Sequence, residues 1–464
     1  MTRDLEKWAA WPPQPIPYPV GVCRTFHRTR GAARVEGDLL NITFARPARE
    51  LSDTSNDLRC LFEGRGFQLK IFAVEAEPIN MTLFLLTFAL VTTFACPCWA
   101  QAVPSWKADD LERKTGAHID HTSLLPGMPS ILQPDDVYAA DRPGQLSPVV
   151  RNDPARIYVP NSESNSVTVI DPATYQVIDQ FRTDRQPQHV TPSYDLKTLW
   201  ILNDKGNSLL RVDPATGKPN GTITVSDPYN MYYTPDGKYA IVVAERRRNL
   251  NFLDANTMQL YHSLAVPCKG VDHLDFSSDG RYLIASCEFD GGVIKVDVQD
   301  QKVMGRLALE PHGMPQDIKL SPDGAVFYVA DMKADGLHLI DGEDLRQTGF
   351  IRTGRGAHGL YISRDSRELF VSNRHEGSIS VIDLNTRKVI HKWRLPGGGS
   401  PDMGGISADG RVLWLSGRYN SEVYAIDTRN GGLLARIPVG RGPHGLCVYP
   451  QPGRYSLGHT GIFR

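Results

Sequence analysis

The sequence predicts an all-β protein, a seven-bladed β-propeller of four-stranded blades. Three observations predict it. An apolar residue followed by aspartate recurs at Asp171, Asp213, Asp254, Asp297, Asp341, Asp383 and Asp427, at intervals of 41 to 44 residues. A turn of the Ser-Pro-Asp-Gly kind keeps the same period around Asp195, Asp236, Asp279, Asp323, Asp365 and Asp409, with an altered form at Pro452-Gly453. Between these markers lie short apolar runs, and no helical run of useful length interrupts them. Four short strands in about 40–45 residues make one propeller blade.

The unit beginning at Ile318 gives the elements in order. Ile318-Lys319-Leu320 is the first strand, and Ser321-Pro322-Asp323-Gly324 turns the chain. Aspartate and glycine suit the backbone angles of such a turn. Val326 to Ala330 forms the second strand, a polar connection follows, and Leu337 to Asp341 forms the third. A fourth strand, Gln347 to Ile351, leads to Thr353-Gly354 and the next blade.

Ring closure is also legible. The first unit opens with a second-type strand, Arg156-Ile157-Tyr158-Val159. The chain ends with a surplus first-type strand, His444-Gly445-Leu446-Cys447-Val448. Pairing of the two completes a blade from both ends of the chain and removes the edges that a linear array would expose. Truncation from His444 onward is expected to unfold the ring.

The units resemble the YVTN family of bacterial β-propellers, close to the YncE group. The resemblance lies in Ile157-Tyr158-Val159-Pro160-Asn161 and Phe370-Val371-Ser372-Asn373. Each is followed by a serine-rich link and then Val169-Ile170-Asp171 or Val381-Ile382-Asp383. It covers residues 151–464 and implies fold, not chemistry, because such scaffolds host many functions.

Upstream, residues 82–95 form an uncharged apolar run, shorter than the roughly 20 residues of a membrane span. Ala100-Gln101-Ala102 follows, so residues 81–102 read as a secretory signal cleaved after Ala102. Residues 1–80 then read as a disordered extension ahead of the true start near Met81. Residues 103–150 read as an extended lead-in. A periplasmic or secreted location is expected for the mature chain, which has no membrane span and is expected to be a monomer.

Basic and acidic residues number 51 and 52, for a net charge of -1. That balance supplies no field for nucleic acid. The expected partner is a small molecule or a periplasmic protein. Seven cysteines include no CxxC pair, which argues against covalent haem and a zinc ribbon. Cys268 and Cys287 bracket one hairpin and are the candidate disulfide in an oxidising compartment.

Alignment of the first strands on their turns places Gln188, Tyr229, Asp272, Gln316, His358, Asp402 and His444 at one position. The next position holds His189, Asn230, His273, Asp317, Gly359, Met403 and Gly445. The ligand-binding candidates are therefore His189, Asp272, His273, Asp317, His358, Asp402 and His444, gathered at one end of the ring. The ordinary alternative for each is a polar residue that satisfies backbone groups or faces water. His358, His444 and His273 are the candidate ligands of a divalent metal. Arg246 and Arg247, on the link after the strand Tyr239 to Ala244, are candidate anion contacts. No GxSxG, HExxH or Walker A pattern occurs. The leading functional expectation is an exported binding or scaffold protein with a His/Asp-lined funnel. A metal-assisted lactonase- or lyase-like enzyme is the alternative.

Overall fold

The computed structural model describes residues 124–464 and, upstream, the backbone of four strands between residues 31 and 71. The chain divides into two compact units, Met1–Val103 and Pro104–Arg464. In the first, strands Gly31–Glu36, Leu39–Phe44, Leu58–Glu63 and Gln68–Ile71 pair in sequence as an antiparallel meander. The segment read as a secretory signal, residues 81–102, lies outside the described residues, as does the lead-in up to residue 123.

The second unit holds seven four-stranded antiparallel blades. Blade 1 is assembled from both ends of the chain: Cys447–Tyr449 pairs with Arg156–Asn161, in the register Cys447 to Tyr158 and Val448 to Ile157. Blades 2 to 7 follow in chain order, with inner strands Pro187–Pro192, Asn230–Tyr233, Val271–Phe276, Pro315–Leu320, Ala357–Ile362 and Pro401–Ile406. The closing ladder is shorter than the sequence suggests. It begins at Cys447, while His444 N–H donates to Pro160 O at 3.1 Å and Gly445 N–H to Gln188 O at 2.9 Å. Among the described residues no helix is long and apolar enough to cross a membrane.

Burial grades outward across each blade. The inner strand Val271–Phe276 is buried at every residue, whereas the outer strand Lys302–Ala308 alternates exposed and half-buried. Neighbouring blades cover both faces of the inner strands, so these strands lose the period-2 polarity that the outer ones keep.

An inner strand is also a sheet edge, and its channel-facing N–H groups need partners. The preceding blade supplies them. Tyr232 Oη accepts from Leu274 N–H at 3.2 Å, and Asp275 Oδ2 from Leu320 N–H at 2.8 Å. Asp317 Oδ2 accepts from Leu360 N–H at 2.9 Å, and Tyr361 Oη from Gly404 N–H at 2.6 Å. One side chain from each of blades 3 to 6 thus fastens the next blade in the ring.

The described lead-in lies across the turn-bearing end. Leu125 N–H donates to Asp279 O at 2.8 Å and Val137 N–H to Pro322 O at 2.9 Å. Ser366 Oγ donates to Asp136 at 3.0 Å. After the closing strand the tail turns into the channel. Its strand Ser456–Gly458 adds to the inner edge of blade 3 through Tyr232, and Ile462–Phe463 pairs back onto it. Arg464 then stands over the Tyr138 ring at 4.5 Å, 3.4 Å from Asp275 Oδ1. Lead-in and tail together close the turn-bearing end.

Candidate functional site

At the other end the inner strands of blades 2 and 4 to 7 begin with a β-bulge. In blade 4 Val271 faces Cys287 and Leu274 faces Ala285, so Asp272 and His273 together oppose Ser286. Blades 5, 6 and 7 shift register at the same place, before Ile318, Leu360 and Gly404. A bulge suspends strand alternation and re-aims side chains. Two consecutive residues can therefore turn toward the channel, which strict alternation forbids.

The sequence-derived ring residues are brought close but are buried rather than solvated. His189 and His273 are 0 % exposed, His358 1 % and His444 2 %; Asp272, Asp317 and Asp402 are 0 %. The tail is one cause of this burial. It carries His459, 1 % exposed, with its ring centroid 4.5 Å from those of both His189 and His273.

The cluster separates into two parts. In the first, Asp402 is the hub. Arg374 donates to it from Nε at 2.8 Å and also from Nη2, and His444 donates from Nδ1 to Oδ2 at 2.7 Å. His358 Nδ1 lies 3.2 Å from Oδ1. Arg374 Nη2 also donates to His358 Nε2, which assigns that imidazole as the Nδ1–H tautomer. His444 Nε2 is left to accept from the Tyr229 hydroxyl at 3.4 Å. Burial pushes the Asp402 carboxyl up, but Arg374 and the other surrounding donors outweigh it and hold it below its ordinary value. Burial, with the charge of Arg374 nearby, lowers both His358 and His444, so both rings are neutral.

In the second part, His189, His273 and His459 surround the channel axis with Asp317. Neither ring nitrogen of His189 or of His459 has a hydrogen-bond partner, while Nε2 of His273 lies 3.2 Å from Asp272 Oδ1 without forming a well-aligned hydrogen bond. Asn230 Nδ2 and Tyr232 Oη lie 3.1 and 3.3 Å from His273 Nδ1. Gly445 makes room for His189: a Cβ there would fall 1.8 Å from its Nδ1. Burial lowers His273 to about 3 and lowers His189 and His459 as well. Among the described residues the one group of three close metal-type donors is His273, Asp317 and His459, with one donor atom from each within 4.8 Å of the others. His358 and His444, expected with His273, turn instead to Asp402 and Arg374.

Around the mouth, the first residue after each second strand carries a polarity that sequence reading missed. It is Asp204, Glu245 and Glu288 in blades 2 to 4, and Arg374 and Arg418 in blades 6 and 7. Burial raises Glu245 well above its ordinary value and Glu288 to about 6, and the charge of Glu288 adds to the rise of Glu245. Burial and the same two glutamates raise Asp272. Phe289 and Tyr419, 45 % and 65 % exposed, add apolar surface to links on opposite sides of this rim.

Arg246 is held between blades 2 and 3. It donates from Nε to Asp227 Oδ1 at 2.6 Å and from Nη2 to Asp204 Oδ1 at 3.0 Å. Arg247 is exposed. A disulfide joins Cys268 and Cys287 with Cα atoms 5.3 Å apart, tying the entry of the blade 4 inner strand to its neighbour beside Asp272 and His273. Cys447 is buried and unpaired.

Known proteins fit this architecture. Over 267 residues the chain is 22 % identical to the YncE protein of Salmonella typhi, covering 54 % of this chain and 74 % of that protein. The YncE protein of Escherichia coli K12 is 24 % identical over 176 residues, or 35 % of this chain and 49 % of that protein. Among solved structures, the Pseudomonas aeruginosa periplasmic gluconolactonase PpgL matches with a TM-score of 0.55 at 19 % identity, over 64 % of this chain and 99 % of that one. The dihydro-heme d1 dehydrogenase NirN matches with a TM-score of 0.51 at 19 % identity, over 74 % and 82 % of the two chains. At that identity both show the fold alone. Residues 141–453 match the YncE-like β-propeller family, and the chain belongs to that family.

Proposed function

We propose that this protein is a binding module of an exported compartment. Its histidine-bearing end takes a small polar ligand that carries a carboxylate together with hydroxyl or amino groups. The observation that carries this reading is the polarity of the mouth. At one structurally equivalent position, acids occupy blades 2 to 4 and arginines blades 6 and 7. Arg374 is held by Asp402 and His358, so the partly exposed guanidinium offered to a carboxylate is that of Arg418. Carboxyls raised toward neutrality can donate or accept a hydrogen bond to hydroxyl groups. Beneath them lies a floor of neutral imidazoles, and the opposite end is covered by the chain's own lead-in and tail. The apolar run before Ala102 supports export.

The test is calorimetric titration of the full chain with a panel of hydroxy acids, sugar acids and amino acids. Binding by one class, weakened about tenfold or more in Arg418→Ala and in Glu288→Gln, is the expected result; loss of one charged hydrogen bond predicts that size. No binding by any class, or binding by both variants as tight as that of the wild type, overturns the reading.

A second reading is favoured by the relay Tyr229–His444–Asp402. A buried carboxylate that fixes an imidazole with its far nitrogen turned toward a hydroxyl is an arrangement for general-base chemistry. In a lactonase-like reaction His444 would take the proton of an attacking water. Lactones, the substrate class named for one of the similar propellers, are the first to assay. On this reading His444→Gln abolishes turnover and leaves binding in place.

A further inference from the structure

We infer that His273, Asp317 and His459 form a site for one divalent transition-metal ion of the zinc class, and that this ion pins the C-terminal tail inside the channel. The inference is independent of any ligand at the mouth.

Three observations carry it. The donor atoms lie within 4.8 Å of one another. Zinc bonds of about 2.0–2.2 Å place two tetrahedral ligands roughly 3.3 Å apart, so a closure of at most about 1.5 Å completes the site. The donors are also unspent. His459 and His273 are 1 % and 0 % exposed; both nitrogens of His459 lack partners, and Nε2 of His273 makes no aligned hydrogen bond, with Asp272 Oδ1 3.2 Å away. Such orphaned buried groups are costly unless something satisfies them. Asp317 accepts one backbone N–H on each oxygen, from Ile318 at 3.0 Å and Leu360 at 2.9 Å, which leaves each oxygen a second lone pair.

The chemistry of the donor set is selective. Two imidazoles and one carboxylate suit zinc better than calcium or magnesium, which prefer oxygen cages. His189 stands nearest as a fourth ligand, with its ring centroid 4.5 Å from that of His459 and both nitrogens unpartnered. Lys319 opposes the ion. Its buried ammonium shares a strand face with Asp317, and its Nζ has no hydrogen-bond partner. Asn230 and Tyr232 hold the other side of the His273 ring.

The placement gives the ion a mechanical role. His273 belongs to blade 4, Asp317 to blade 5, and His459 to the tail beyond the closing strand. One ion would join two blades to the last residues of the chain.

The experiment uses the full chain, stripped with a chelator, dialysed and titrated with zinc chloride by calorimetry. One zinc per chain is expected. His459→Gln should weaken binding by more than the roughly 10–100-fold that loss of a supporting partner costs. Lys319→Met should tighten it by roughly tenfold, through removal of a nearby like charge. Zinc should also slow release of Arg464 by a serine carboxypeptidase in the wild type and not in His459→Gln. If His459→Gln does not fold, X-ray absorption of the zinc-loaded wild type decides, with at least two imidazoles expected in the coordination shell. Substoichiometric zinc, binding unchanged in a folded His459→Gln, or a shell without imidazole overturns the inference.

Discussion

His444 donates from Nδ1 to Oδ2 of Asp402 across 2.7 Å, linking blade 1 to blade 7 at the seam where the ring closes. Arg374 of blade 6 binds the same carboxylate, so one buried anion ties three blades together. Asp402→Asn would leave the Arg374 guanidinium buried without its counter-charge. Breaking one side of a buried pair costs about 3–5 kcal/mol. The variant should lose that much in urea unfolding, and more than His444→Gln. Because the folded-state value of Asp402 lies below the ordinary 3.8, its contribution is present above that pH and is lost as pH falls further.

The buried imidazoles and the raised carboxyls predict pH effects of opposite sign. His189 is lowered in the folded state, so between its folded value and 6.5 the unfolded chain binds the extra proton. Its neutral burial therefore costs stability as pH falls below about 6.5, by up to about 1.4 kcal/mol per pH unit. His189→Gln should gain on the wild type as pH is lowered from 7 to 5. Glu288 is raised from 4.5 to about 6, so the folded state binds the extra proton across that window. Stability is lost there as pH rises, and Glu288→Gln should gain on the wild type from pH 4.5 to 6. Urea midpoints of both variants across this range check the two signs.

The disulfide closes a short loop, its cysteines 19 positions apart in sequence. Cross-links of this span contribute about 3 kcal/mol in the chain-entropy account. A Cys268→Ser, Cys287→Ser double variant should lose about that much in urea unfolding. Any ligand at the mouth should also bind it more weakly, because Asp272 and His273 follow directly on the released segment.

Two truncations should behave differently. Removal of residues 444–464 deletes the strand Cys447–Tyr449 that closes blade 1, and the product should be unfolded by circular dichroism. Removal of residues 454–464 leaves that strand in place and takes away only the channel tail. This shorter truncation should keep its β-sheet spectrum while the imidazoles become reachable by diethyl pyrocarbonate. An unfolded product in the second case would make the tail part of the folding unit rather than a plug.

The ring, its blade count and its closure were legible because each repeat restates the same markers, at Asp171 through Asp427. The identity of the channel-facing positions was legible too, since the repeats align them. His459 was not, because it lies past the last repeat and has no counterpart to align with. The division of the histidines was hidden as well. Whether His358 joins His273 or Asp402 depends on the reach of Arg374, a residue on a link that the strand alignment passes over. Arg246 read as a free anion contact because Asp227 and Asp204, which bind its guanidinium, lie 19 and 42 residues away in sequence. The polarity of the rim becomes visible only when the first residue after each second strand is compared around the ring.

The most direct test of the central claim is hydrogen–deuterium exchange of the full chain, with and without the tightest-binding member of the titration panel. The mouth reading predicts slower exchange in the links that begin at Glu245, Glu288, Arg374 and Arg418 and in the bulges at Asp272-His273 and Asp402-Met403. Protection confined to the lead-in Leu125–Asp141 and the turns beneath it would place the ligand at the closed end and contradict the account.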